Sequence, residues 1–146
     1  MKPYIICHMM ASVDGRIDCA MTSKIKGVNE YYRTLDALDA PTTVSGRITA
    51  TLEMAAQGFF EPKDQTAIGK TSFHKAAAAD GYTVIVDNKG RLKFNGAELD
   101  GQPLLLIVSE KASKEYLSYL EHLGISWIAC GKEHTDLKQA VEIMNT

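Results

Sequence analysis

The stretch "TTVSGRITATLEMA", residues 42–55, decides how the chain reads. Its first residues are β formers, and Ala50, Leu52, Glu53, Met54 and Ala55 are mostly helix formers. A short strand over 42–46 therefore passes to a helix over about 48–57, which Gly58 stops. A glycine at such a hand-over lets the backbone turn sharply or lets another group come close. A helix start behind it offers unpaired N–H groups to an anion. Two readings of Gly46-Arg47-Ile48-Thr49 follow. In one, the turn and the Thr49 hydroxyl hold a pyrophosphate while Arg47 adds a cation. In the other, Gly46 relieves a tight turn, Thr49 caps the helix and Arg47 is solvated. The glycine pattern of a dinucleotide fingerprint, GxGxxG, is absent.

On the N-terminal side, "YIICHMMA" (4–11) is almost continuously apolar, as expected of a strand buried on both faces. Within it His8 is expected as a core histidine satisfied by a hydrogen bond, and Met9 and Met10 as core. "SVDG" (12–15) is a turn. Residues 16–27 show no period, and 28–39 carry Val28, Tyr31 or Tyr32, Leu35 and Leu38 at helical spacing. On the C-terminal side, 59–81 read as a surface loop with at most one helical turn. "YTVIVD" (82–87), "PLLLIVS" (103–109) and "ISWIAC" (125–130) are strands. Helices are expected over 110–124, with Gly124 as its stop, and from Thr135 or Asp136 onward. Strands of buried type alternating with helices imply an α/β domain: a mostly parallel sheet in three layers with flanking helices.

The 146 residues suit a single domain, 1–146, with 45% hydrophobic and 23% charged residues. A net charge of −2 without a basic run argues against nucleic-acid binding. The three cysteines, Cys7, Cys19 and Cys130, lie far apart without metal-ligand spacing, so neither a zinc site nor a disulfide scaffold is expected. No apolar run is long enough to span a membrane or has the form of a signal peptide. A soluble, cytoplasmic protein is expected.

Open α/β sheets bind ligands beyond the carboxyl ends of their strands. That rule singles out three turns: Ser12-Val13-Asp14-Gly15, Gly46-Arg47, and "DNKG" (87–90), where Asn88, Lys89 and Arg91 can meet a phosphate. Each also reads as an ordinary polar turn. His74, His122 and His134 stand apart from any metal or triad spacing, and no nucleophile elbow is present.

Taken together, "KPYIICHMMASVDGRI", "VSGRITATLE", "YTVIVDNKGRL" and "CGKEHTDLKQAVEIM" resemble the reductase domain of the riboflavin-biosynthesis deaminase–reductase family, which shares the dihydrofolate-reductase-like fold. The resemblance runs in order along the chain. It implies NADPH as cofactor and hydride transfer to the ribosyl group of a phosphoribosylamino-pyrimidine. It further implies that Gly46, Arg47, Thr49, Glu53 and Asn88 contact the cofactor. Ser12 and Ser23 would contact the substrate, and Asp14 would act at the catalytic centre. A homodimer acting on a small molecule is expected. The family continues past the helix that matches 135–145 into further strands and a Gly-rich phosphate loop, so the expected fold lacks those C-terminal strands. The family's Asp stands here as Glu53, and Arg33 is its nearest arginine for a substrate phosphate. A dihydrofolate-reductase-like enzyme with another substrate, or a nucleotide-binding fragment without turnover, are the alternatives.

Overall fold

The computed structural model describes residues 3–146, which form two compact units, 3–40 and Pro41–Thr146. In the first, the "SVDG" turn forms as expected: the Gly15 N–H donates to the Ser12 carbonyl at 2.9 Å. A single short turn, α1 (Cys19–Thr22), follows, and then α2 (Val28–Ala37). Of the residues expected on its apolar face, Val28, Tyr31, Leu35 and the C-cap Leu38 are half-buried, and Tyr32, the alternative to Tyr31, is exposed. Residues 4–11 correct the sequence reading, because they belong to neither sheet. Tyr4 is 91% exposed and Ile5 76%, and Met9 is exposed as well. A strand holds its place only when neighbouring strands take up its N–H and C=O groups, and among the described residues none does so here. His8 is half-buried rather than in a core; its ring stacks on Tyr31 at 4.5 Å, with Nε2 3.2 Å from the Tyr31 carbonyl.

The second unit holds the sheet. Its strands are β1 (Thr43–Gly46), β3 (Ser72–His74), β4 (Thr83–Val86), β6 (Glu98–Leu99), β7 (Gln102–Val108) and β8 (Ser126–Ala129). Four run parallel in the order β1-β4-β7-β8, β3 closes the far edge antiparallel to β8, and β6 folds back on β7. A separate antiparallel pair joins β2 (Ala56–Phe59) to β5 (Leu92–Lys93). The helices are α3 (Arg47–Glu53), α4 (Lys114–Leu123) and α5 (Leu137–Met144).

Side chains alternate along β7 and so feed two cores. Leu104, Leu106 and Val108, with Ile85 and Trp127, pack with Tyr116, Leu117 and Leu120 of α4 and Ala50 of α3. Leu105 and Ile107, with Val84, Ile128 and Cys130, pack with Ala140 of α5. Both faces are covered, which is why β4, β7 and β8 are apolar beyond their first residues, and the unit is a three-layer, mostly parallel α/β sheet. The caps are specific. Ser113 accepts the Tyr116 N–H at 3.1 Å, which starts α4 at Lys114 rather than at 110. Gly124 ends α4 in the left-handed region as expected, and Asp136 accepts the Gln139 N–H at 3.0 Å to start α5.

Two further expectations are corrected. The helix expected over 48–57 ends at Glu53, and its last residues become β2, with Gly58 at φ 80° where the β2–β5 register shifts. A bulge with a left-handed glycine accounts for Gly58 better than a helix stop. The expected loop over 59–81 contains β3, which pairs Ser72, Phe73 and His74 with Ala129, Ile128 and Trp127. Three residues are too few to show a strand period. No helix among the described residues is long and apolar enough to cross a membrane.

Candidate phosphate-binding cleft

Strands β1 and β4 pair in parallel with Gly46 opposite Val86, so their carboxyl ends open side by side. The residues that follow, Arg47 on one and Asp87 to Arg91 on the other, enclose a cleft of about 240 Å³ lined by Arg47, Asp87, Asn88, Lys89 and Arg91. Such a position, beyond the carboxyl edge of a parallel sheet, is where α/β folds receive ligands.

The turn after β4 is tightly determined. The Gly90 N–H donates to the Asp87 carbonyl at 2.9 Å. Gly90 sits at φ 66°, and a Cβ there would stand 2.5 Å from Tyr116 Cδ1. The Asp87 side chain is fully buried; its Oδ2 accepts the N–H groups of Arg91 at 2.6 Å and Leu92 at 2.8 Å. Its Oδ1 has no hydrogen-bond partner among the described residues. Below the turn, the buried Tyr116 hydroxyl donates to the Leu92 carbonyl at 2.8 Å. Burial, then the Asp87 charge and then Tyr119 raise the Tyr116 pKa well above its ordinary value, so it stays a donor throughout the physiological range.

The turn after β1 is the opposite case. Gly46 has φ −83° and ψ 168°, an extended conformation open to any residue, and a Cβ there would meet nothing within 4 Å. Neither its conformation nor its neighbours require a glycine. Thr49 does not cap α3, whose N-terminus has no side-chain cap, and its hydroxyl bonds to no described residue. A tight turn thus does not explain Gly46, nor a cap Thr49, while Arg47 is exposed as the ordinary reading expects.

The cleft is electropositive. Arg47, Lys89 and Arg91 are exposed, and the ion pairs among the described residues lie elsewhere, Arg16 with Asp14 and Lys111 with Glu133. The Asp87 carboxylate alone opposes three cations on the lining. An anion placed here gains from both charge and the guanidinium forks.

The other expected site residues fall out as follows. Asn88 lines the cleft, but its side chain is engaged away from it: Oδ1 accepts the Thr135 N–H at 2.7 Å. Its carbonyl accepts the Ser109 hydroxyl at 2.7 Å, so Asn88 ties together the loops that follow β4, β7 and β8. Beside them the Lys111 ammonium holds the Glu133 carboxyl below its ordinary pKa. Thr49 is half-buried and Glu53 exposed at the end of α3, and neither is on the cleft lining. Ser12, Asp14 and Ser23 belong to the other unit. There the Ser12 hydroxyl donates to Asp14, and Arg16 pairs with Asp14 at 3.1 Å. Ser23 is exposed, its hydroxyl 3.4 Å from the Ala20 carbonyl.

From the sequence, Asp87 falls at the end of "YTVIVD" and in the "DNKG" turn but receives no role of its own. A lone acid closing an apolar strand was the available signal. Of the cysteines, Cys7 is exposed and Cys130 buried, with burial raising the Cys130 thiol pKa; the Cys19 side chain lies outside the described residues. No group of three or more metal-ligating side chains occurs among the described residues. Compared with models of known protein families and with curated proteins, the chain matches none.

Proposed function

We propose that the chain is an NADPH-dependent reductase of dihydrofolate-reductase-like fold, acting on a small molecule of the riboflavin-precursor type. The observation that carries this reading is the cleft at the carboxyl ends of β1 and β4, with Arg47, Lys89 and Arg91 around it, Arg47 being preceded in the chain by a glycine that neither its conformation nor its neighbours require. Those residues fit a phosphate-bearing cofactor, and the resemblance of "SVDGRI" and "VSGRITATLE" to the reductase family names which one. NADPH, when bound, supplies the hydride that would reduce a ribosyl group to its open-chain alcohol. The protein's share is to hold and orient, which accounts for a site without a nucleophile or triad. Arg47, Lys89 and Arg91 would neutralise phosphate charge, and Gly46 would let it approach the backbone. Thr49, Glu53 and Asn88 complete the proposed cofactor set, while Ser12, Ser23 and Asp14 are proposed for the substrate. A cytoplasmic homodimer is the proposed working form.

A second reading, a nucleotide-binding module without turnover, has one observation in its favour: the Asp14 carboxylate is already engaged by Ser12 and Arg16. The experiment that separates the two measures NADPH binding by fluorescence beside NADPH oxidation with the ribosylamino-pyrimidine and with dihydrofolate. A reductase binds NADPH in preference to NADH and oxidises it with one of these substrates. Binding without oxidation supports the module, and no binding removes both readings.

A further inference from the structure

The cleft contains one group that a simple anion site does not need. Asp87 is fully buried, lines the cleft, and leaves Oδ1 without a hydrogen-bond partner among the described residues. Its other oxygen already meets the demands of the turn by accepting from Arg91 and Leu92. An unpartnered buried acceptor is costly, more so when charged, and such groups are rare unless something supplies the donor. A carboxylate is also repulsive toward phosphate, so a cleft built for a bare anion is better without it. We infer that Asp87 Oδ1 accepts a hydrogen bond from a sugar hydroxyl adjacent to the phosphate that the three cations hold. The ligand fragment in this cleft is then a phosphorylated ribose, with the cations on the ester and the carboxylate on the neighbouring hydroxyl.

Size agrees with a fragment rather than a whole cofactor. The cleft's 240 Å³ falls below the roughly 300–1,000 Å³ of pockets that enclose entire ligands. The inference rests on the dinucleotide reading and adds to it the subsite and its polarity: for a 2′-phosphorylated adenosine ribose, the hydroxyl is the 3′ one.

Asp87→Asn keeps the shape and an acceptor for the turn but removes the charge and presents an amide donor on the free side. Calorimetric titration of parent and D87N with NADPH and with inorganic pyrophosphate reads the effect. NADPH should bind roughly tenfold or more weaker to D87N, the scale of one lost charge-assisted hydrogen bond. Pyrophosphate, which carries no sugar hydroxyl, should bind D87N at least as tightly as parent. Equal or tighter NADPH binding by D87N overturns the inference while leaving the dinucleotide reading intact. Failure of the parent to bind NADPH overturns both. Should D87N not fold, the parent alone decides: the 3′-deoxy form of 2′-phospho-ADP should bind about tenfold weaker than 2′-phospho-ADP, and equal binding makes Asp87 a carboxylate that serves the turn only.

Discussion

Gly46 ends β1 and Gly90 lies in the turn after β4, and the two answer to different constraints. Gly90 is required by the fold: its φ is 66° and any Cβ would strike the Tyr116 ring at 2.5 Å. Gly90→Ala should destabilise the protein by about 1–3 kcal/mol in urea unfolding, from backbone strain and a displaced ring. Gly46 is required by nothing in the chain, since φ is −83° and no atom stands within 4 Å of its Cβ position. Gly46→Ala should therefore leave stability unchanged or raise it by about 0.4–1 kcal/mol, as an entropy loss in the unfolded chain. The same change should weaken NADPH binding, because a methyl group would occupy the open approach. Equal binding by G46A removes the glycine from the site. Sequence showed the pair Gly46-Arg47 and the group Asn88, Lys89 and Arg91 as ligand neighbours, and the cleft brings Arg47 and the latter three together. It did not show Asp87, because which oxygen of a buried carboxylate lacks a donor depends on the three-dimensional turn.

Among the elements, α4 was the most legible. Its Gly stop and repeated apolar face are read from the sequence, whereas its start at the Ser113 cap is not, and Ser113→Ala should cost about 1 kcal/mol of stability. The elements that escaped sequence reading take their order from partners: β3 has three residues and exists by pairing with β8, and β2 forms opposite β5 where a helix was expected. Tyr116 joins α4 to the cleft floor. Tyr116→Phe removes its bond to Leu92 and should cost about 0.5–1.5 kcal/mol near neutral pH. The folded Tyr116 pKa lies above the ordinary 10.0, so its contribution is fully present below that pH and is lost as the pH rises beyond it. Melting temperatures measured from pH 8 upward should fall faster for the parent than for Y116F once pH 10.0 is passed. Parallel curves would contradict the burial of a protonated phenol.

The two units differ in how much they bury. In Pro41–Thr146 both faces of the sheet are covered, and Val84, Ile85, Leu106 and Val108 are fully buried. In residues 3–40 no large apolar side chain is buried, and Thr22 is the buried residue among those described. Amides of the first unit should thus exchange with deuterium well before those of β4, β7 and β8, as expected where local burial is slight. Exchange at equal rates in both would require a core that these contacts do not contain. The α/β class and its parallel strands were legible because doubly covered strands are written as apolar runs. Residues 4–11 carry the same kind of run, and there the rule misled, since the run states only a preference for burial.

The central claim is that the cleft beyond β1 and β4 receives the phosphate of a nicotinamide dinucleotide. Fluorescence titration of the parent and of Arg47→Ala with NADPH tests it most directly. The account predicts saturable binding by the parent, weaker at higher salt, and roughly tenfold or greater loss in R47A, the scale of one charge-assisted contact. Absence of saturation in the parent, or an R47A curve that overlays it, would contradict the account.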